Sequence, residues 1–262
     1  MQEDQKLQDI NSRNNPIIYV AVCTPSIGLM RTRYTTSLVR MILYYQNKPV
    51  LGREKDLRFL SYHVIDGSMV GSAREEMVRD ILALPNITHL LFIDEDMGFR
   101  EDTLNILLSR QMPFVSCNYR MKVPPCNFTC RNPEDTNWID TTEEKSSLEE
   151  AYSTGFGFSL IERQVLEKLK SPMFSNVWSD KYNTYSTEDR SFCILAREAG
   201  FPVYVDHKAS KRVYHVGNYS YSYDDNFPAY KRKPKAERMQ TKNNATTTTG
   251  ENHNYLKLIK SE

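Results

Sequence analysis

Short apolar runs and helical stripes alternate along the first half of the chain. Residues 17–23 are apolar and rich in β-branched side chains between Pro16 and the pair Thr24 and Pro25. That pattern predicts a buried strand ending in a turn, which Ser26, Ile27 and Gly28 continue. Across 34–45, Leu38, Met41, Ile42 and Tyr45 recur at helical spacing until Asn47, Lys48 and Pro49 stop them. The alternation continues with a strand over 57–65, a turn at Asp66, Gly67 and Ser68, a helix over 72–82 and a strand over 88–93. A helix over 101–108 and a strand over 113–119 follow. Such an order predicts a single α/β domain, Rossmann-like, with a parallel, doubly wound sheet flanked by helices and joined by right-handed crossovers.

Within the second helix, Ser72 and Glu75 have the spacing of a capping box. Arg74 lies near the helix start, where it opposes the dipole. It therefore calls for a phosphate or base ligand, or for a solvent-facing partner in Glu75 or Asp80.

The regular pattern dissolves from 120 to 148, and a loop of that length in a compact domain suits a substrate-covering insertion. It contains Cys126 and Cys130; no second Cys pair or spaced His pair completes a zinc set, so two loop thiols are expected. Order returns over 151–161, read as one strand containing Gly155 and Gly157, where either a ligand approaches the backbone or a bulge forms. A helix over 162–169 and an aromatic loop with Phe174, Trp178, Tyr182 and Tyr185 come next. Glu188 and Asp189 open a helix that closes at Gly200, a strand spans 202–206, and Tyr214, His215, Val216 and Gly217 follow. Residues 1–15 read as a polar extension, 16–217 as the domain, and 218–262 as a Tyr- and Lys-rich segment with a low-complexity, mobile tail.

The chemistry concentrates after the strand at 88–93. Leu90, Leu91, Phe92 and Ile93 run straight into Asp94, Glu95 and Asp96, at the edge where α/β sheets bind ligands. Crowded carboxylates call for a compensating charge, and a hard divalent cation supplies it; an exposed acidic turn is the alternative. If the chain stays extended, Asp94 and Asp96 share a face and Glu95 turns away.

Charge and composition narrow the partners. The 262 residues carry 34 Lys and Arg against 33 Asp and Glu, a net charge of +1, so no global field draws nucleic acid. No apolar run long enough to span a bilayer occurs, and residues 1–15 do not resemble a signal peptide. A cytoplasmic protein is expected, with peripheral membrane association as the variant.

Taken in order, Asp94-Glu95-Asp96, Ser153 to Gly157, Thr187-Glu188-Asp189 and Tyr214 to Gly217 resemble the motifs of GT-A fold glycosyltransferases, especially family-2-like members. The resemblance covers 17–217 and implies a mostly parallel sheet, a nucleotide-binding half over about 16–119 and an acceptor half over about 150–217, and transfer of a sugar from a nucleotide-diphosphate sugar to a hydroxyl acceptor on a glycan, lipid-linked or protein substrate. It implies Mn²⁺ or Mg²⁺ at Asp96, with Asp94 and His215 assisting, and Asp189, adjoining Glu188, as catalytic base of an inverting reaction. Thr24, Ser26, Arg74, Asp94 and Glu95 fall where such enzymes hold the donor. The basic run 231–235 reads as a lid over the diphosphate or as a solvated tail. A sugar-phosphate nucleotidyltransferase and a non-catalytic sugar-nucleotide or glycan-binding module are the competing readings.

Overall fold

The computed structural model describes residues 18–47, 57–65, 69–123, 125–217 and 220–225. The N-terminal extension, the turn at 66–68, the lid candidate 231–235 and the low-complexity tail lie outside the described residues. Those described belong to one compact unit, Met1–Asn226.

Strand β1 (Ile18–Ser26) leads into helix α1 (Thr32–Asn47), then β2 (Leu57–Ile65), α2 (Val70–Leu82) and β3 (His89–Ile93). Next come β4 (Met97–Phe99), α3 (Thr103–Ser109), β5 (Phe114–Ser116), β6 (Leu148–Ala151) and β7 (Phe158–Glu162). Helix α4 (Arg163–Lys168), the short strands β8 (Trp178–Ser179) and β9 (Thr184–Tyr185), and α5 (Glu188–Glu198) follow. The described chain ends with β10 (Val203–Asp206), α6 (His207–Ser210), β11 (Val213–Val216) and β12 (Ser220–Tyr221).

A seven-stranded sheet in the order β2-β1-β3-β7-β5-β10-β6 carries the fold. Its central strands β1 and β3 are largely apolar because both faces are covered. Ala21, Cys23, Leu90 and Phe92 pack beneath α2, α4 and α5. Their neighbours Val20, Val22, Leu91 and Ile93 pack with Tyr34 and Met41 of α1 and Leu104 and Leu107 of α3.

The sheet is mostly parallel rather than wholly so. β7 runs antiparallel to both β3 and β5, and β6 antiparallel to β10. Phe158 opens β7 opposite Ile93, the last residue of β3, and Leu148 opens β6 opposite Asp206, the last of β10. A chain that re-enters from the edge where its neighbours end can only run against them. The single strand expected over 151–161 is therefore two, in different places of the sheet. Likewise β1 does not stop at Cys23. It continues through Pro25 in register with β2, and β3 pairs with it only as far as Cys23, leaving one side free of a ladder that Pro25 would break.

The capping box does not form. Helix α2 begins at Val70 without a side-chain cap, so Ser72 is already inside it, and the Glu75 carboxylate accepts from the backbone N–H groups of Met173 (2.7 Å) and Phe174 (3.1 Å). Gly71 permits this docking: a Cβ there would lie 2.5 Å from the Phe174 carbonyl oxygen.

Candidate functional site

Beyond β3 the backbone turns at once. Met97 N–H donates to the Asp94 carbonyl at 3.0 Å, so 94–96 is a turn and strand alternation does not apply. The expectation that Asp94 and Asp96 share a face is corrected: the three acids find three separate partners. Asp94 Oδ1 lies 2.7 Å from Arg74 Nη2, Glu95 Oε2 accepts from Ser26 Oγ at 2.5 Å, and Asp96 Oδ2 meets Lys122 Nζ. The Ser26 hydroxyl in turn accepts from Gly28 N–H at 3.0 Å. Thr24 is buried, with its hydroxyl 2.5 Å from that of Tyr34.

Strand pairing brings His215 to Asp96. β11 lies antiparallel to β4 with His215 opposite Met97, and Val216 N–H donates to the Asp96 carbonyl at 2.7 Å. His215 Nδ1 stands 2.9 Å from the Arg120 carbonyl, which can only accept, so Nδ1 carries the hydrogen. In the neutral ring the Nε2 lone pair then faces Asp96 Oδ1 at 3.2 Å, and Oδ1 is buried without a hydrogen-bond donor. Two acceptors aimed at one gap fit a cation, and the backbone carbonyl behind the imidazole is the usual outer support of a metal-binding histidine. Burial works to raise the Asp96 carboxyl, but Lys122 and the Nε2–H of a protonated His215 outweigh it and hold it at about 2; without that proton Nε2 offers its lone pair instead. Asp94 does not join them. Among the described residues no three His, Cys, Asp or Glu side chains are grouped to hold a metal ion, so the expected trio contracts to Asp96 and His215.

Glu188 and Asp189 open α5 and differ in environment. Glu188 Oε1 lies 2.5 Å from Arg74 Nη1. Asp189 accepts from Arg190 N–H at 2.7 Å and from the Thr187 hydroxyl, yet burial and the neighbouring Glu188 charge push its carboxyl up to about 6. Arg74 faces neither solvent nor Glu75 or Asp80. Its side chain is 3% exposed and bridges Asp94 and Glu188 above the Phe156 ring, 5.3 Å from its centroid. The signal was in the spacing: Arg74 lies three, four and seven residues before Met77, Val78 and Ile81, on the buried stripe of α2. A charge on such a stripe requires buried partners.

Gly155 and Gly157 make room for a side chain, not for a ligand. A Cβ on Gly155 would lie 2.5 Å from Tyr119 Oη, and one on Gly157 would lie 2.5 Å from Tyr119 Cζ. The Tyr119 hydroxyl accepts from Gly157 N–H at 2.8 Å, and its ring meets that of His215 edge-on at 5.3 Å. Sequence patterns gave no sign of Tyr119, Lys122 or Asp135. Asp135 accepts both Arg190 guanidinium nitrogens (2.8 and 2.6 Å) and the Tyr182 hydroxyl (2.7 Å), which ties the long loop to α5 beside Asp189. Cys126 and Cys130 are buried thiols, and Cys130 Sγ lies 3.1 Å from Thr154 Oγ1. A cavity of about 890 Å³ lies against Glu188, bordered by Met69, Ser72, Glu75, Phe174 and Asn176.

No protein-family model and no curated protein sequence matches the chain. Among solved structures, the chain is similar to A197 from STIV, with a TM-score of 0.52 and 19% identity over 83% of this chain and 100% of that one. This likeness shows a shared fold. Lower similarity links it to S. aureus TarS 1–349, solved in complex with UDP-GlcNAc (TM-score 0.44, 11% identity, 81% of this chain and 62% of that one). The catalytic domain of Drosophila β1,4-galactosyltransferase 7, in complex with xylobiose, gives a TM-score of 0.43 and 14% identity over 86% of this chain and 80% of that one.

Proposed function

We propose that the chain is an inverting glycosyltransferase that moves a sugar from a nucleotide-diphosphate sugar to a hydroxyl acceptor. The observation that carries this reading is geometric: Asp96 Oδ1 and His215 Nε2 converge at 3.2 Å just beyond β3, and Arg74 links Asp94 at the end of β3 to Glu188, the neighbour of Asp189 on α5. Asp96 is held ionised beside His215, whereas Asp189 is pushed up to about 6. One is suited to a cation and the other to a proton, the division of labour that environment imposes on paired acids.

In this reading the acceptor oxygen attacks the anomeric carbon while its proton passes to the Asp189 carboxylate. The bond from that carbon to the phosphate oxygen breaks, and the nucleoside diphosphate leaves with the electron pair. Asp96 and His215 would hold Mn²⁺ or Mg²⁺, which supplies neutralising charge to the leaving group. In the same reading Thr24, Ser26, Glu95 and Asp94 would contact the donor; Ser26 is held by Glu95, Thr24 by Tyr34, and Asp94 by the Arg74 bridge to Glu188. A cytoplasmic site of action belongs to the same reading; among the described residues no helix is long and apolar enough to cross a membrane.

The test is a screen of nucleotide sugars for hydrolysis with and without Mn²⁺. Metal-stimulated release of a nucleoside diphosphate, lost in Asp189→Asn and in Asp96→Asn, is the expected result. Absence of release from every donor, together with absence of nucleoside diphosphate binding, would overturn the reading.

A further inference from the structure

Lys122 carries no motif, yet it occupies a decisive contact. Its Nζ sits on Asp96 Oδ2, while Oδ1 of the same carboxylate faces His215 Nε2 at 3.2 Å and has no donor when that imidazole is neutral. One carboxylate thus already has an ammonium on one oxygen and an open cation position on the other. A divalent cation at Oδ1 and Nε2 would stand within a few ångströms of that ammonium, and like charges so close repel strongly inside a protein. The two cannot both hold Asp96 undisturbed.

The side chain can leave, and its backbone need not. Lys122 is 34% exposed along its side chain, and its stem runs past Gly217, where a Cβ would come within 3.1 Å of Lys122 Cδ. Two residues earlier, Arg120 is anchored to the carbonyls of Ser222, Cys126 and Tyr223 at 3.1–3.2 Å, which fixes the strand of chain that carries Lys122. A lysine is a point charge on a flexible stem and can redirect its charge without recruiting a planar partner. A departing nucleoside diphosphate carries more negative charge than one carboxylate-bound dication neutralises.

We infer that Lys122 is a displaceable counter-ion: it holds Asp96 in the ligand-free protein and transfers its charge to the donor diphosphate when a divalent cation takes Asp96. The inference rests on the donor being a nucleotide-diphosphate sugar. It assigns Lys122 as a substrate-contacting residue and explains why an acid that awaits a cation is stable without one.

The test compares the wild-type chain with Lys122→Met and Lys122→Arg by titration calorimetry. Mn²⁺ alone is titrated first, then UDP, GDP, ADP and dTDP with Mn²⁺ present. Removal of a competing charge should tighten binding of Mn²⁺ alone about tenfold and weaken binding of the preferred diphosphate about tenfold in Lys122→Met, the size of one charged hydrogen bond. Lys122→Arg should stay near wild type in both. Should Lys122→Met fail to fold, Lys122→Gln gives the same two readings. Mn²⁺-dependent diphosphate binding that is indifferent to Lys122, or weaker binding of Mn²⁺ alone in Lys122→Met, overturns the inference and leaves the proposed function standing. No diphosphate binding by the wild type overturns both.

Discussion

Arg74 Nη2 lies 2.7 Å from Asp94 Oδ1, and this contact ties the buried stripe of α2 to the end of β3. The other end of the same guanidinium holds Glu188 at 2.5 Å, so one residue joins the carboxyl end of β3 to the helix that carries Asp189. Burial alone would lower the Arg74 pKa; Asp94, Glu188 and Asp189 more than reverse that and keep the charge in place.

Arg74→Met should destabilise the protein by about 3–5 kcal/mol, because it leaves two carboxylates without their cation while preserving volume. Arg74 also draws the Asp189 pKa down, so its loss should shift the acid limb of the pH–rate profile upward. Chemical denaturation and a kcat/KM profile check the two effects separately. An unchanged midpoint would mean that the bridge contributes nothing.

Asp189→Asn should remove most turnover while leaving donor binding nearly intact, since a proton acceptor is needed chiefly in the transition state. Stability should move the other way. The Asp189 carboxyl is raised from the usual 3.8 to about 6, so the folded state favours its protonated form. The stability contributed by that form is fully present below 3.8 and is lost as the pH rises through about 6. At neutral pH the neutral Asn should therefore restore up to about 3 kcal/mol, reduced by about 0.5 kcal/mol of lost attraction to the helix N-terminus. A higher Tm than wild type near pH 7.5, vanishing near pH 3, identifies a strained carboxylate; a lower Tm at both identifies a helix cap.

Asp96→Asn and His215→Ala should each abolish the metal dependence of nucleoside diphosphate binding, because each removes one of the two acceptors that face the same gap. Calorimetry with Mn²⁺ and with chelator decides it. Equal affinities in the two conditions for the wild type would dismiss this pair as a metal site.

Gly155→Ala and Gly157→Ala should each destabilise by about 1–3 kcal/mol through overpacking against Tyr119. The clash at Gly155 is chiefly with the hydroxyl oxygen, at 2.5 Å with Cζ at 3.2 Å, whereas the clash at Gly157 involves the ring itself, with Cζ at 2.5 Å and Cε1 at 2.8 Å. Tyr119→Phe should then rescue Gly155→Ala in part and leave Gly157→Ala unrescued. Equal rescue of both in thermal melts would show that the ring moves freely.

Much of the architecture was legible in the sequence because it rests on local periodicity. Unbroken apolar runs in β1 and β3 announced strands buried on both faces, and the stripe through Leu38, Met41, Ile42 and Tyr45 announced α1, where Met41 and Tyr45 are buried and Leu38 packs against the core. The position of Asp94, Glu95 and Asp96 just beyond a buried strand, and of Glu188 and Asp189 in the first turn of a helix, could be read in the same way. The dihedral and packing preferences behind these features act over a few residues.

Tertiary structure alone decided which charges meet. Arg74 and Glu188 are 114 positions apart, Lys122 and Asp96 26 apart, and Arg120 and the His215 it orients 95 apart. The turn at 94–96 and the reversal of β7 set those pairings, and neither leaves a period in the sequence. The sequence by itself determined which segments are buried and where acids emerge from them. Which partner neutralises each acid depends on strand order and register, since a buried charge is compensated by whatever the fold places within a few ångströms, at any distance along the chain.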